Sequence, residues 1–294
     1  MKLIKPSFEI LDQQCGLEGI YKQIEISGRT CYKSEDKITD DSAKEFVDRM
    51  IKSGHGAMLE HGTVYLAIPI SEWRCTDDYR DSYISNPYSN VNDSLVDWEN
   101  NEGTVYITTN FRVLVENDWL DDLQYICEPT EYHEKRITVK FITDQGILRE
   151  FTRHRVFSFA VESTRYCNYT KDKFSNEITF IQPNWISDKD IENYHMDFGY
   201  FTDQDTNHIT AVNRFMSALK NAEYFYMELI KLGWKPQQAR NILPLATKCD
   251  MIMTGFVSDW EHFFELRDAT SAHPQAQELA HSLHEAFIQR GLIK

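Results

Sequence analysis

The chain has 294 residues, of which 41% are apolar, and a formal charge of -15 at pH 7. This composition supports a packed core and excludes a disordered chain, while the length alone leaves one or two domains open. The negative charge argues against a broad nucleic-acid interface, but a local anion pocket needs only a few converging arginines. No run of about 18 apolar residues occurs and no signal peptide is evident, so we expect a cytoplasmic protein without a membrane span.

The first seventy residues show strand and helix patterns. Residues 2–10 are predicted to form an edge strand that Pro6 interrupts, since proline cannot donate to a β-ladder. Residues 40–54 carry apolar side chains at helical spacing after two aspartates, and Gly54 is expected to end this helix. Residues 63–70 are β-branched and aromatic, which is typical of a strand.

Residues 74–133 differ in character, because this segment is polar, rich in turn-forming residues and poor in apolar anchors. Within it, residues 101–117 are predicted to form a strand followed by a short helix. We expect a single domain over residues 1–294 that carries the segment as an insertion.

The middle of the chain is predicted to run from strand to helix to loop. Residues 137–143 have a strand pattern, and the next three residues are expected to form a turn. Ile147, Phe151 and His154 then recur at helical spacing, so a helix is predicted to reach His154 and to pass into a loop.

The last third of the chain is mostly helical. Residues 208–232 form a long amphipathic pattern that ends near Gly233, and its apolar stripe is expected to face the core or another subunit. Another helix is predicted to begin near Pro236, and two more cover WEHFFELRDA and AQELAHSLHEAFIQR. Because strands and helices mix without βαβ regularity, we predict an α+β fold with a mixed, mainly antiparallel sheet and flanking helices.

The six cysteines are scattered and form no C-x-x-C pair: Cys15, Cys31, Cys75, Cys127, Cys167 and Cys249. This spacing indicates neither a zinc site nor a thioredoxin-type motif. We expect reduced thiols that are mostly buried.

A fourteen-residue stretch, RHRVFSFAVESTRY, begins at Arg153 and holds three arginines and a histidine in an otherwise acidic chain. Arginine binds phosphate through a planar fork and stays charged at any working pH, and the serines and threonine of the stretch add hydroxyl donors. These residue types favour an anion site. The alternative is a solvated basic loop that Glu150 and Glu162 neutralise through salt bridges.

The same stretch matches a family signature. The RHR tripeptide, followed by seven residues and Ser163, resembles the RHR-x7-S motif of the flavin-dependent thymidylate synthases. Four more segments resemble motifs of that family and occur in its order: SGRTCY, SGHGAMLEH, QQARNILPL and HFFELRDATSAHPQAQELA. The chain departs from the family where Ala160 and Val161 replace the frequent Asn-Glu pair.

This resemblance implies an enzyme that makes dTMP from dUMP. The methylene group would come from 5,10-methylenetetrahydrofolate and the hydride from reduced FAD, which NADPH re-reduces. The resemblance also implies a homotetramer with FAD between its subunits. The sequence has no G-x-G-x-x-G fingerprint and no G-K-[ST] phosphate loop, so FAD would be bound by a different architecture.

The resemblance further implies which residues form the site. The dUMP contacts are expected at Glu150, Arg153, Glu162, Ser163, Thr164, Arg165, Arg240 and Arg267. The FAD contacts are expected at His55, Ala57, Arg153, His154, Arg155, Val161 and His262, and no metal is expected. Arg267 is the expected catalytic residue, because a guanidinium beside the uracil ring stabilises the charge that develops as N3 ionises.

Two alternatives concern single positions. Ser163 could attack C6 of dUMP, but activation needs a nearby base, so a ligand-binding hydroxyl is favoured. His55, Glu60 and His61 could hold a metal, although their spacing fits neither a zincin nor a zinc finger. A wall of a flavin or folate pocket is favoured there, with plain structural packing as the next choice.

Two further alternatives concern the whole chain. Ala160 and Val161 leave open a family homologue that binds nucleotide and has lost activity. An RNA-binding protein that uses the arginine-rich loop would show steep salt dependence, and the charge of -15 disfavours it.

Overall fold

The computed structural model describes residues 1–73, 82–171, 174–194 and 210–294. The strands are β1 (Lys2–Ile4), β2 (Ser7–Leu11), β3 (Thr63–Pro69), β4 (Asn90–Asn92), β5 (Thr104–Asn110), β6 (Arg136–Asp144), β7 (Ser158–Val161), β8 (Thr179–Ile181) and β9 (Lys248–Phe256). The α-helices are α1 (Gly16–Tyr32), α2 (Ser42–Ser53), α3 (Gly56–Leu59), α4 (Ile70–Trp73), α5 (Phe111–Glu116), α6 (Gln145–Phe151), α7 (Asp188–Glu192), α8 (Ala211–Lys231), α9 (Pro236–Ala239), α10 (Val257–Arg267) and α11 (Pro274–Gln289).

The described strands form mainly antiparallel sheets. The largest has four strands in the order β2-β6-β9-β7, and all of its pairs are antiparallel. Pro6 separates β1 from β2, and these strands enter different sheets: β2 is an edge of the four-stranded sheet, while β1 pairs in parallel with β8. The predicted α+β fold and the predicted break at Pro6 are confirmed.

One face of the four-stranded sheet packs on α6, α10 and α11. Phe141 of β6 and Met253 of β9 belong to the same apolar core as Trp260 and Phe263 of α10. The ring centroids of Phe151 and Phe263 lie 4.9 Å apart in an edge-to-face contact, which adds to the stability gained from burial. This core fixes α6 against α10, and the candidate site lies where these two helices meet.

Helix α1, which no motif marked as helical, packs against α2. Gly28 permits their close approach, since a Cβ at this position would lie 2.3 Å from the ring of Phe46. The guanidinium of Arg29 lies 4.9 Å from the same ring and pairs with Glu25 at 3.0 Å. The SGRTCY motif therefore forms the packed end of α1. Helix α2 ends before Gly54, which has a φ of 69°, as predicted.

The polar segment 74–133 contributes two strands to a three-stranded sheet. β5 pairs with β3 on one side and with β4 on the other. Ile107 and Phe111 lie in the same apolar core as α1. The predicted strand and short helix within residues 101–117 are confirmed as β5 and α5. Residues 74–81 lie outside the described part, and the idea that this segment is an insertion in a single domain stays a prediction.

Three predictions around the arginine-rich stretch are wrong. Asp144 to Gly146 form no turn, because Asp144 is the N-cap of α6 and accepts from the backbone N–H groups of Gly146 and Ile147 at 2.7 and 2.8 Å. Helix α6 ends at Phe151, so His154 lies beyond it. The predicted loop also contains β7, because SFAV alternates buried and half-buried side chains and pairs with the edge of β9.

The other predicted helices are confirmed. Helix α8 covers most of residues 208–232, whose first two residues lie outside the described part. Leu219 and Tyr226 of α8 pack in a third core, whereas Tyr224 and Phe225 are exposed. Among the described residues, no helix is long and apolar enough to cross a membrane.

Five of the six cysteines are described, and all five are free thiols. Two are buried as predicted, two are half-buried, and Cys15 is exposed, so the prediction of burial is wrong there. Cys75 lies outside the described residues.

Candidate functional site

Helix α6 positions the candidate site. Its N-cap Asp144 is held by Gln275 of α11, whose amide nitrogen donates to Asp144 Oδ2 at 2.9 Å. Arg149 and Glu150 lie in the last turn of α6, and successive helical residues point about 100° apart. The two side chains consequently enter different surroundings: Arg149 lines a polar cleft, and Glu150 meets α10.

Three hydrogen bonds fix Arg267, the predicted catalytic residue. Its Nη1 donates to Glu150 Oε2 at 2.8 Å, and its Nη2 donates to the backbone oxygen of Glu150 at 2.8 Å. Its Nε donates to Nε2 of His154 at 2.9 Å. Because a guanidinium has five N–H groups, two take no part in these bonds.

His154 accepts from Arg267 because it is neutral. The side chain is buried, and burial together with the positive charges of Arg267 and His262 lowers its pKa to about 4. Near pH 7 the imidazole therefore carries one proton, on Nδ1, and Nε2 is the acceptor. The structure thus brings together four of the predicted residues: Glu150, His154, His262 and Arg267.

A second group of predicted residues meets in a polar cleft of about 350 Å³. Nη1 of Arg240 donates to the hydroxyl of Thr164 at 2.9 Å. Arg149 lines the same cleft and was missed by the sequence analysis, although its spacing of four residues from Gln145 places both on one face of α6. The lining residues are Gln145, Arg149, Thr164, Arg240, Asn241, Leu243, Pro244, Leu245 and Thr247.

Glu162 lies elsewhere, in a buried ionic cluster. Its side chain is 2% exposed and pairs with Lys248 at 3.0 Å and with Lys33 at 3.7 Å. Both lysines also pair with Asp250. Burial alone would raise the pKa of Asp250, but the two lysines outweigh burial and lower it. Because Glu162 is committed to this cluster, the structure does not bring it to the cleft of Arg240.

The other arginines of the stretch are exposed. Arg153, Arg155 and Arg165 form no ion pair with any residue that the structure describes. The guanidinium of Arg165 lies 5.5 Å from the ring centroid of Tyr166. The two neighbouring glutamates have other partners, so the alternative of a loop neutralised by its own salt bridges does not match the geometry.

Ser163 is tied to α1 by its backbone. Its N–H donates to the carbonyl oxygen of Cys31 at 3.1 Å. Within the described ranges, no histidine or carboxylate hydrogen-bonds the Ser163 hydroxyl. A nucleophilic serine needs such a base, so the geometry gives no support to the nucleophile alternative.

His55 and Ala57 are exposed near the start of α3. Nδ1 of His55 and the hydroxyl of Tyr32 are hydrogen-bonded at 2.7 Å. The ring of Tyr32 lies 6.4 Å from that of Tyr166, which ends the arginine-rich stretch. These flat side chains form an aromatic surface patch that comprises Tyr32, His55 and Tyr166.

The residues of the metal alternative have separate partners. His55 bonds Tyr32, Glu60 pairs with Arg112 at 2.5 Å, and Nδ1 of His61 lies 2.8 Å from the hydroxyl of Thr254. Among the described residues, no group of three or more His, Cys, Asp or Glu side chains is arranged to hold a metal.

The residues predicted to contact FAD have side chains of the chemical types that could bind it. The exposed arginines can pair with a diphosphate, and the aromatic surface patch offers flat faces to a ring system. His262 is exposed on α10, with its ring 6.4 Å from that of His154. Val161 is half-buried in β7, whereas Ala160 is fully buried and cannot replace an asparagine contact.

Comparison with known proteins identifies the family. Residues 129–290, which are 162 of the 294 residues, match the family described as thymidylate synthase complementing protein. The chain belongs to this family, and the resemblance that its motifs indicated is confirmed.

Named relatives agree with this assignment. The flavin-dependent thymidylate synthase of Halobacterium salinarum is 26% identical over 164 residues, which cover 55% of this chain and 65% of the relative. The probable flavin-dependent thymidylate synthase of Paramecium bursaria Chlorella virus 1 is 26% identical over 153 residues, which cover 52% of this chain and 66% of the relative. The matched region thus spans just under two thirds of the length of these relatives.

Among solved structures, a UMP/dUMP methylase, PolB, from Streptomyces cacaoi bound with 5-Br dUMP is similar to this chain. The identity is 16% and the TM-score is 0.42, with 98% of this chain and 93% of the other covered.

Proposed function

We propose that this protein is a flavin-dependent thymidylate synthase that methylates dUMP to dTMP. The observation that supports this proposal most strongly is the position of Arg267. Its guanidinium is oriented by Glu150 and His154 at one end of α6. The cationic cleft of Arg149 and Arg240 lies beside the same helix. We propose that the uracil ring of dUMP lies near Arg267 and that its phosphate lies in the cleft.

Arg267 would act by electrostatic stabilisation. Its two remaining N–H groups would donate to a uracil carbonyl, and its charge would stabilise the anion formed as N3 loses its proton and C5 becomes nucleophilic. The three bonds to Glu150 and His154 hold the guanidinium in place before the substrate arrives, so little reorganisation is needed during the reaction. No protein nucleophile is required.

FAD supplies the hydride when it is bound. Arg153 and Arg155 would hold its diphosphate, and His55 and Ala57 would lie against its ring. Further FAD contacts are proposed for Val161 and His262, and dUMP contacts for Ser163 and Arg165. We include 5,10-methylenetetrahydrofolate as the carbon donor and NADPH as the reductant.

We also propose a homotetramer. Support comes from exposed apolar side chains on α8 and just after it, since Tyr224 and Phe225 are more than half exposed and Leu232 is 77% exposed. Apolar groups of this size are usually covered by a partner.

The test is formation of dTMP by the purified protein with FAD, NADPH, methylenetetrahydrofolate and dUMP. Each component is omitted in turn. Formation of dTMP that stops on omission of FAD or dUMP supports the proposal. A protein that binds both ligands and forms no dTMP would overturn it.

A nucleotide-binding homologue without activity is the second candidate. It is favoured by one observation, that Ala160 is buried in β7 and Val161 offers only an apolar side chain where the family often has Asn-Glu. This candidate predicts dUMP binding without flavin bleaching by NADPH. Anaerobic absorbance spectra of the FAD-loaded protein before and after NADPH distinguish the two.

A further inference from the structure

We propose that Arg149 binds the phosphate of the substrate together with Arg240. This inference rests on the proposed function and adds a residue that neither the motifs nor the family resemblance indicated. Both arginines line the polar cleft of about 350 Å³ between α6 and the 3-10 helix Arg240–Ile242.

The charged groups that line the cleft are all positive as far as the chain is described. The lining includes two guanidinium groups, and none of its described residues supplies a carboxylate. Glu150 directly follows Arg149, and its carboxylate is bonded to Arg267 at 2.8 Å. Converging positive charges repel one another unless an anion lies between them. A phosphate monoester is the anion whose geometry matches two arginine forks.

The uncharged lining groups are also suitable. The hydroxyl of Thr164 already accepts from Arg240 at 2.9 Å and can donate its own hydrogen to a phosphate oxygen. Gln145 and Asn241 add amide donors at the same cleft. A dianion in this cleft would therefore meet both charged and neutral donors.

The backbone of α6 is fixed on both sides of Arg149. Asp144 caps α6 and is itself bonded to Gln275 of α11, so the helix is fixed at its start. Phe151, at its end, is fully buried. The backbone of Arg149 is therefore held in place, and only its side chain has to be ordered when an anion binds.

The test is calorimetric titration of the full chain with dUMP, deoxyuridine and inorganic phosphate. The variants are Arg149→Gln, Arg149→Lys and the matched control Arg290→Gln, which removes an exposed arginine that pairs with Asp12. Arg149 is exposed, so folding is expected to survive, and equal melting temperatures verify this.

We expect Arg149→Gln to weaken dUMP binding by about 10- to 100-fold and to leave deoxyuridine binding unchanged. Arg149→Lys is expected to recover part of the affinity, because it keeps the charge and loses the fork. In turnover, KM for dUMP rises while kcat changes little, as for uniform binding. Inorganic phosphate is expected to compete with dUMP in the wild type and less well in Arg149→Gln.

Three outcomes contradict the inference. If Arg149→Gln binds dUMP as tightly as Arg290→Gln does, Arg149 has no phosphate role, and the proposed function stands. If the wild-type protein binds deoxyuridine as tightly as dUMP, the phosphate site falls and the proposed function stands. If the FAD-loaded wild-type protein does not bind dUMP at all, the proposed function falls, and this inference falls with it.

Discussion

Arg267 and the two arginines of the RHR tripeptide, Arg153 and Arg155, lie in different surroundings. Arg267 is 16% exposed and donates three hydrogen bonds to Glu150 and His154. Arg153 and Arg155 are exposed and form no ion pair among the residues described. The first arginine is oriented by its own chain, and the proposed function assigns the other two to the diphosphate of FAD.

Under the proposed function, this difference separates a catalytic arginine from two cofactor-binding arginines. A group that stabilises a developing charge works best when it is already oriented, because reorganisation during the reaction reduces its effect. A group that captures a mobile cofactor gains from solvent access. Substitutions at four positions test this distinction, and their expected effects decrease in the order Arg267, Glu150, His154 and Arg155.

The Arg267→Ala variant is expected to lose about 10²- to 10³-fold in kcat, because the charge formed on the uracil ring loses its main stabiliser. The measurement is initial-rate dTMP formation at saturating FAD and dUMP. Arg290→Ala serves as the control and is expected to match the wild type. Wild-type turnover in Arg267→Ala would remove this residue from the mechanism.

The Glu150→Ala variant is expected to lower kcat by about 10- to 100-fold, because the Arg267 guanidinium loses a charge-assisted hydrogen bond and its orientation. Glu150→Gln keeps an acceptor oxygen and should fall between this variant and the wild type. Steady-state kinetics separate the effects: a positioning role lowers kcat, while a purely substrate-binding role raises KM for dUMP alone.

The protein is expected to lose stability in acid partly through His154. This histidine has a pKa of about 4 in the folded chain, while the usual value is near 6.5 in an unfolded chain. The unfolded state therefore takes up the proton first, so the contribution is complete above pH 6.5 and is lost as the pH falls towards 4. Protonation would also replace the acceptor of Arg267 by a donor.

His154→Gln is the matched variant, since its side-chain oxygen can accept from Arg267 and does not titrate. Urea unfolding at several values between pH 7 and pH 4 should show a steeper loss in the wild type than in His154→Gln. Parallel curves for the two proteins would contradict the neutral-histidine account.

Arg155→Ala is expected to leave the free energy of unfolding within about 0.5 kcal/mol of the wild type, since the side chain is exposed. Its affinity for FAD is expected to fall, more so at low salt. Fluorescence titration with FAD at two salt concentrations measures this. A large loss of stability with unchanged FAD affinity would place Arg155 among the structural residues.

The sequence predicted the family and most regular elements, but several site details depend on folding. Arg267 and Glu150 are 117 residues apart, and their contact arises because α10 and α6 pack on the same sheet face. A contact between residues so far apart leaves no pattern in the sequence near either residue. Arg149 was missed for a related reason, because its cleft is completed by residues near Arg240.

Three other differences between prediction and structure also have identifiable causes. The helix pattern that included His154 ended early, since the edge of β9 offered pairing to residues 158–161 and the chain turned to meet it. The position of Glu162 depends on Lys33 and Lys248, which come from distant segments. Helix α1 gives a weak helical signal in the sequence, because Gly19 and Gly28 lie in its interior and its N-cap residue Cys15 makes no side-chain cap.

The measurement that tests the account most directly is release of tritium from dUMP labelled at C5, since methylation replaces the hydrogen there. Wild type, Arg267→Ala and Arg155→Ala are compared over a range of FAD concentrations with the other substrates saturating. We predict that Arg155→Ala recovers wild-type release at high FAD, whereas Arg267→Ala stays about 10²- to 10³-fold slower at every FAD concentration. Two results would contradict the account. The first is tritium release by Arg267→Ala at the wild-type rate, and the second is an equal loss of release in both variants that a high FAD concentration does not restore.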